Sequence, residues 1–316
     1  ETGFYDVHYE QPKKTETNGT RAIDALSFYS LLANGARKNL ADMSNIKGTK
    51  NEEFWRAFSS GMPLPPPKTP AIRDNFMASL QALGLNTYKT KSSLAITPAT
   101  DSDILKRSNG EIIEAKFIRS RDMKPEKGGF YDPVITGGDA GDRWSHISLG
   151  ASIPNPIFEV AITKILGLTS GKFSDILKGK TKVNAQGNID ENGKLFGGEA
   201  IGTMLDSIDI EPRLKALREE GLATAAAKDW TALNNINTKI RFLTNIQTLD
   251  KKPSELYVLN NFPVLPPKFR QMTILGDGTV QNPPINELYQ SLKLESDGIK
   301  KLKEIGFDDD DIIGDR

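Results

Sequence analysis

The sequence predicts an α+β fold that is mainly helical and irregular. Three observations lead to this class. Apolar residues recur at helical spacing in both halves of the 316-residue chain, short β-like runs occupy the stretch from Asn86 to Ile153, and glycine or proline interrupts both patterns. A hydrophobic fraction of 37% is adequate for a core, and the length fits two or three domains.

The first quarter of the chain predicts three helices and a proline-rich connection. Helical spacing of apolar residues begins at about Arg21, and a second short helix ends at Gly61. The segment 62–70 is predicted to be an extended strap, because its prolines lack the amide donors that a helix interior needs. A third helix is predicted from Pro70 to about Leu83.

The rest of the chain predicts short strands, a helical hairpin and a final helix. The β-like runs are SLAITPA, EIIEAKFI and HISLGASI. Two longer helices, at 198–220 and 225–249, carry apolar stripes, with Trp230 on the second, that allow antiparallel packing. A Gly-Asp-Gly turn signal then precedes a helix that begins after Pro284.

Composition excludes several classes of function. Lys+Arg 41 against Asp+Glu 41 gives a net charge of +0, which argues against a histone-like binder and leaves only local positive patches. Zero cysteines exclude disulfides, thiolate catalysis and cysteine-ligated zinc, while two histidines, His8 and His146, cannot build a histidine-rich metal centre. The run Asp308–Asp311 could hold Mg²⁺, although a solvated segment is the simpler interpretation.

Membrane and phosphate-loop signals are missing from the sequence. No window reaches the roughly 18 uninterrupted apolar residues that a membrane helix needs, so no membrane association is expected. No Walker-type or dinucleotide-binding glycine pattern occurs. Basic residues do form local clusters, each of which could contact phosphate groups or form a solvated face. These clusters are Lys13 with Lys14, Lys178 with Lys180 and Lys182, Lys268 with Arg270, and Lys300 with Lys301 and Lys303.

Six segments carry a more specific signal through their order along the chain. TGFYDVHYEQP, GTRAIDALSFYSLLANGA and FWRAFSSGMPLPPPKTPAIRDNFMASLQALGLN come first. MKPEKGGFYDPVI, HISLGASIPNPIF and LYVLNNFPVLPPKFRQMTILGDGTVQNPPINELYQSL follow. In this order the segments resemble the multisubunit DNA-directed RNA polymerases, the first three resembling the end of a β subunit and the last three the beginning of a β′ subunit. Their direct joining resembles the fused arrangement of some family members.

The resemblance implies a division of the chain and a fold. Residues 1–100 would be a β C-terminal-like segment at the switch region and clamp base, residues 101–260 the β′ N-terminal-like clamp core, and residues 261–316 the lid loop with the first arm of the clamp coiled coil. The implied fold is a clamp-type module with a helical hairpin and a β-hairpin lid, and without a complete catalytic barrel.

Two departures from the family pattern bear on chemistry. Between YDPVI and HISL, where the family carries a cysteine zinc ribbon, this chain has only TGGDAGDRWS, which resembles polymerases of large bacteriophages or other mobile elements. The catalytic loop NADFDGD is missing. The resemblance therefore implies no catalytic residue, metal or cofactor on this chain, and Mg²⁺ held by another chain of the assembled polymerase. The chain is interpreted as a split-gene product, a proteolytic product or part of a longer polypeptide.

Site residues also follow from the resemblance. The lid would span Pro263 to Val280, with Met272 or Ile274 as an apolar wedge that helps to peel RNA from the template. The residues implied to contact nucleic acid are Lys13, Lys14, Arg21, Lys268 and Arg270. A surface turn in which Lys268 and Arg270 form salt bridges is the plainer alternative.

The last predicted helix resembles the arm on which a promoter-specificity factor docks. The residues implied in docking are Tyr289, Lys293 and Lys300, and Tyr289 suits a core position equally well. The implied partners are β-like and β′-like polymerase chains, template DNA, nascent RNA and a sigma-like factor, and the implied location is the host cytoplasm or the virion.

The implied function is the non-catalytic clamp portion of a polymerase, a nucleotidyltransferase, that holds DNA and the RNA–DNA hybrid. Charge reversal at Lys268 and Arg270 is predicted to shorten the lifetime of the elongation complex, most visibly as salt rises. The alternative, from a different class, is a clamp-fold scaffold or decoy that binds a polymerase without taking part in RNA synthesis.

Overall fold

The chain forms two compact units, Glu1–Ser79 and Leu80–Arg316, named the N-terminal unit and the C-terminal unit. A computed structural model describes residues 5–6, 10–14, 20–90, 93–118, 124–277 and 279–307. His8 and the acidic run Asp308–Asp311 lie outside the described residues. The three-part division implied by the resemblance stays a prediction.

The N-terminal unit consists of short helices. They are α1 (Ala25–Ala33), α2 (Arg37–Asp42), a π-helical turn (Met43–Lys47), α3 (Glu52–Ser59) and the first part of α4 (Ala71–Ala82). The helix expected from about Arg21 begins at Ala25, because the carboxylate of Asp24 caps it by accepting the amide of Ser27 at 2.6 Å. The segment 62–70 has no regular secondary structure, as its prolines require.

The described part of the C-terminal unit contains three two-stranded antiparallel sheets. Their strands are β1 (Leu85–Lys89) with β2 (Leu94–Pro98), β3 (Ser145–Pro154) with β4 (Val258–Val264), and β5 (Thr273–Ile274) with β6 (Val280–Gln281). None of the three closes into a barrel, and together with the helices they agree with the α+β prediction. The predicted run EIIEAKFI is not a strand, because the amides of Ile113 and Glu114 both bond to the carbonyl of Gly128 in a turn.

Helices are the main regular elements of this unit and bury a large apolar cluster. They are α5 (Asp101–Arg107), α6 (Glu159–Leu166), α7 (Ser170–Leu177), α8 (Gly197–Asp206), α9 (Ile210–Ala226), α10 (Trp230–Leu249), α11 (Pro253–Tyr257) and α12 (Pro284–Ile305). Side chains from α6 to α11 pack together around Ile162, Ile201 and Ile246, and removal of this apolar surface from water stabilises the unit. In the described part of the chain, no helix is long and apolar enough to cross a membrane.

Two predictions about the helical hairpin are wrong. The helix expected at 198–220 is two helices, α8 and α9, because the hydroxyl of Ser207 bonds back to the carbonyl of Met204 and the chain turns there. The hairpin is therefore formed by α9 and α10. Trp230, expected on the buried stripe, is 68% exposed, since it is the first residue of α10 and lies next to the turn.

Helix α12 lies against β3 in close contact. A Cβ atom at Gly150 would lie only 2.6 Å from the carbonyl oxygen of Ser296, so the approach requires glycine. The hydroxyl of Ser296 donates to the carbonyl of Ser148 at 2.9 Å. Because β4 pairs with β3, the end of β4 and the start of α12 are held near each other, and the loop between them is the predicted lid.

Candidate nucleic-acid interface

The chain between β4 and α12 folds back on itself as a short hairpin, named here the hairpin loop (residues 265–282). Strands β5 and β6 pair through Thr273 with Gln281 and Ile274 with Val280. At the tip, the carboxylate of Asp277 accepts the amide of Thr279 at 2.9 Å. The predicted β-hairpin is therefore present, although its ladder is only two residues long.

The base of the hairpin loop is organised by the side chain of Arg270, which is only 2% exposed. Its Nε donates to the carbonyl of Leu265 at 2.6 Å, and one terminal nitrogen donates to the carbonyl of Phe130 at 2.6 Å. The other terminal nitrogen donates to the side-chain oxygen of Asn286 at 3.1 Å. One guanidinium thus joins the start of the loop, the first turn of α12 and a turn far earlier in the chain.

Two aromatic rings cover the same guanidinium. Its central carbon lies 4.7 Å from the ring centre of Tyr131 and 5.7 Å from that of Phe130. The hydroxyl of Tyr131 donates to the carbonyl of Arg270 and accepts from the amide of Asn286, both at 2.7 Å. Burial lowers the pKa of Arg270, yet an arginine stays protonated in proteins. The positive charge is therefore surrounded by carbonyl dipoles and ring faces.

Tyr289 completes this group, which we name the Arg270 cluster. Its hydroxyl accepts the amide of Leu265 at 3.2 Å, and its ring stacks on Phe130 at a centroid distance of 6.2 Å. Burial raises the pKa of both Tyr131 and Tyr289, so both hydroxyl groups keep their protons at neutral pH. The members of the cluster are Phe130, Tyr131, Leu265, Arg270, Asn286 and Tyr289.

The burial of three side chains bears on the roles predicted for them. It conflicts with two of the predicted contacts and places the third residue in the core. The role predicted for Arg270, direct contact with nucleic acid, conflicts with its position inside the cluster. Lys293, predicted to contact a docking factor, is 3% exposed and its ammonium bonds to the carboxylate of Asp297 at 2.6 Å. For Tyr289, where core and interface were both open, the structure shows a core position.

Lys268, two residues before Arg270, is exposed to solvent. Its side chain is exposed, with the ammonium 5.7 Å from the ring centre of Phe269, while its backbone amide donates to the carbonyl of Gly141 at 2.9 Å. No described carboxylate forms an ion pair with this ammonium. The alternative of a salt-bridged turn therefore finds no partner for Lys268 in this part of the chain.

The remaining predicted site residues are dispersed. Met272 is half-buried, Ile274 lies in β5 with its side chain outside the described part, and Lys300 lies 3.6 Å from the carboxylate of Glu111. Lys13, Lys14 and Arg21 are exposed and belong to the N-terminal unit.

Sequence reasoning gave no role to Phe130, Tyr131 or Asn286. A signal was nevertheless present, because two of the segments that carry the polymerase resemblance supply the whole cluster. The turn residues Phe130 and Tyr131 come from MKPEKGGFYDPVI, and the remaining members come from the single long segment that contains PVLPPKFR and NELY. Segments far apart in sequence, each with a specific pattern, meet here.

No family model matches the sequence of this chain. The β′ subunit of DNA-directed RNA polymerase from Clostridioides difficile (strain 630) is 26% identical over 286 residues, covering 71% of this chain and 24% of the relative. The β′ subunit from Chlorokybus atmophyticus is 30% identical over 125 residues, covering 36% of this chain and 17% of the relative.

The polymerase γ subunit of a Synechococcus strain is similar as well, at 28% identity over 138 residues, 44% of this chain and 21% of the relative. The chain thus spans about a quarter or less of the length of these relatives. The β-like first part, the fused arrangement, the bacteriophage likeness and the loss of a zinc ribbon stay predictions. The similarity supports the other half of the resemblance: this chain contains a region similar to the β′ subunit of DNA-directed RNA polymerase.

Proposed function

We propose that this chain is the non-catalytic, clamp-type part of a multisubunit DNA-directed RNA polymerase, and that it holds DNA and the RNA–DNA hybrid during transcription. The observation that carries the proposal is the hairpin loop, which presents an exposed Lys268 between β4 and α12 in a chain similar to β′ subunits. The proposed role of the loop is that of a lid.

The chemistry of Lys268 suits a contact with the nucleic-acid backbone. A lysine ammonium is a compact point charge that binds a phosphate group and releases a condensed counterion. Half-buried Met272 follows closely in the sequence and is proposed, with Ile274, as the apolar wedge. This chain would contribute geometry, because the Mg²⁺-dependent transfer of nucleotides is proposed to occur on another polymerase chain.

The exposed face of α1 supports the proposal that other polymerase chains are partners. No residue of this helix is buried, and no charged residue occurs between Asp24 and Arg37. Leu26 and Tyr29 are its most exposed large apolar residues. A helix of this kind is expected to be covered in the functional assembly, since a large exposed apolar patch marks an interaction site. Template DNA, nascent RNA and a sigma-like factor are the other proposed partners.

The proposal is tested by removing the charge of Lys268 in the assembled polymerase that contains the full chain. We expect Lys268→Gln to shorten the lifetime of the elongation complex. The slope of log lifetime against log salt concentration should become shallower by about one, as for one lost phosphate contact. The measurement is the dissociation rate of stalled complexes between 50 and 200 mM salt, values that bracket the usual range.

A matched control is Lys215→Gln, an exposed lysine on α9 that is expected to leave the lifetime unchanged. Unchanged lifetime and salt dependence in Lys268→Gln would contradict the lid assignment. If a polymerase without this chain made RNA at the normal rate, the scaffold or decoy interpretation would replace the proposed function.

A further inference from the structure

We infer that Arg270 is a positioning residue that fixes the hairpin loop to α12 and to the turn at Phe130, and so holds Lys268 in place for its contact. The inference rests on the proposed function for the role of Lys268, but its structural part stands on the cluster alone. Arg270 itself is enclosed, so its effect on nucleic acid would be indirect.

Three separate parts of the chain meet at this one side chain. Each nitrogen of the guanidinium bonds to a different one: Leu265 just after β4, Phe130 in the early turn, and Asn286 in the first turn of α12. A planar guanidinium can serve three acceptors at fixed angles, whereas a lysine ammonium is a single point. Position 270 therefore requires a planar group with several donors, and not only a positive charge.

The backbone of Arg270 is held as firmly as its side chain. Its carbonyl accepts the hydroxyl of Tyr131, and its amide donates to the carbonyl of Pro267 at 2.9 Å. Lys268 lies inside the turn that this second bond closes, the 3-10 helix Pro267–Phe269. Release of the guanidinium would leave this turn held only by the bond from Tyr131 at one end and by the bond from the amide of Lys268 to Gly141 at the other, so the turn would open more often.

The cost of burying this charge supports a positioning role. No described carboxylate forms an ion pair with Arg270, so its desolvation is compensated by two carbonyl groups, one amide oxygen and two aromatic faces. Burial of an ion without a counter-charge is expensive, and an apolar residue of similar volume would avoid that cost. What an apolar residue would not provide is the directional connection between the three elements.

The test compares two substitutions and their combination in the assembled polymerase with the full chain. We expect Arg270→Lys, which keeps the charge but loses the planar set of donors, to shorten the elongation-complex lifetime about as much as Lys268→Gln does. For one phosphate contact the shortening is about fourfold larger at 50 mM than at 200 mM salt. The double variant Arg270→Lys with Lys268→Gln should be no worse than either single variant, because both remove the same contact.

Hydrogen exchange on the free chain separates this inference from the proposed function. We expect Arg270→Lys to accelerate exchange at the amides of Lys268 and Arg270, with little change in α9 or α10. Tyr131→Phe is a milder second variant, should Arg270→Lys fold poorly, and Tyr257→Phe on α11 is its control, a buried tyrosine outside the cluster. Tyr131→Phe should accelerate the same two amides, and Tyr257→Phe should not.

Unchanged exchange at both amides in a folded Arg270→Lys or Tyr131→Phe chain would overturn the inference, whatever nucleic acid does. Full additivity of Arg270→Lys and Lys268→Gln would overturn it as well, because independent contacts add. If exchange accelerates but Lys268→Gln has no effect on lifetime, the positioning of the loop is supported and the proposed function of Lys268 is the part that fails.

Discussion

Lys268 and Arg270 carry the same charge two positions apart, but Lys268 is exposed and Arg270 is buried. The intervening turn places the ammonium in solvent and encloses the guanidinium. An ammonium is strongly hydrated, so its burial costs more, while a guanidinium is more weakly hydrated and offers donors in a fixed plane. At this scale the residue type, rather than the charge, separates a candidate contact residue from a positioning residue.

The environment of His146 lowers the pKa of its imidazole. Its Nδ1 lies 2.7 Å from the hydroxyl of Ser108, and burial lowers the pKa of the imidazole, with Glu111 raising it and Lys300 lowering it by smaller amounts. Because the folded-state pKa lies below the ordinary histidine value of 6.5, the unfolded chain takes up the proton first as the pH falls. The contribution to stability is therefore complete above that value and is lost as the pH falls below it.

We expect the free energy of unfolding to decline between pH 7 and pH 5 by less in His146→Asn than in the unsubstituted chain, in the range where histidine usually titrates, about pH 5 to 8. The asparagine amide can still bond to Ser108 but does not titrate. The measurement is the urea midpoint at each pH. Equal declines in both chains would show that the imidazole does not contribute.

At the scale of elements, α12 contacts both the Arg270 cluster and strand β3. Its first two turns contribute Asn286 and Tyr289 to the Arg270 cluster, and its middle lies against β3 where Gly150 allows a close approach. The side of the helix away from these contacts exposes Leu288 and Leu294. The helix therefore contacts both β3 and the base of the hairpin loop.

We expect Gly150→Ala to destabilise the chain by about 1–3 kcal/mol, the usual cost of overpacking a close contact. The added methyl group would meet the backbone of Ser296 and the side chain of Ile299, at 2.6 and 2.8 Å. The control is Gly171→Ala in α7, where the new Cβ meets open space and alanine favours the helix by about 1 kcal/mol. Urea unfolding measures both, and shifts in the same direction would contradict this account of α12.

At the scale of the whole molecule, the two units differ in how much apolar surface they bury. The C-terminal unit encloses a large cluster between α6 and α11. In the described part of the N-terminal unit, Phe54 and Ala78 are the buried apolar residues, whereas Leu26 is 81% exposed. A unit with so small a core is expected to gain stability from a partner surface.

We expect Leu26→Asp to reduce recovery of the other polymerase chains with this one, because a carboxylate in an apolar interface would lose its hydration without compensation. The measurement is quantitative mass spectrometry of the complex purified through this chain. The control is Leu222→Asp on α9, an equally exposed leucine in the C-terminal unit. Full recovery of partner chains with Leu26→Asp would show that α1 is not the contact surface.

Local chemistry was enough to predict some of the turns. The prolines of 62–70 and the Gly-Asp-Gly turn act on their immediate neighbours, so their effects can be read from the sequence within a few positions. Helix ends were less accurate, because the first helix was expected from about Arg21 and begins at Ala25. The α+β class and the similarity to β′ subunits were predicted in the same way, from pattern and from the order of segments. By itself the sequence determined the α+β class and the similarity to β′ subunits, but not the strand expected at EIIEAKFI or the division between α8 and α9.

The tertiary structure decided which charged side chains are available. Arg270 is enclosed because Phe130, 140 positions earlier, meets it across the fold, and no local pattern reports such a contact. Contacts between distant segments also place Tyr289 in the core and bury Lys293. Hydrophobic spacing identifies a face, but burial depends on which distant segments cover that face, and this is determined only when the whole chain has folded.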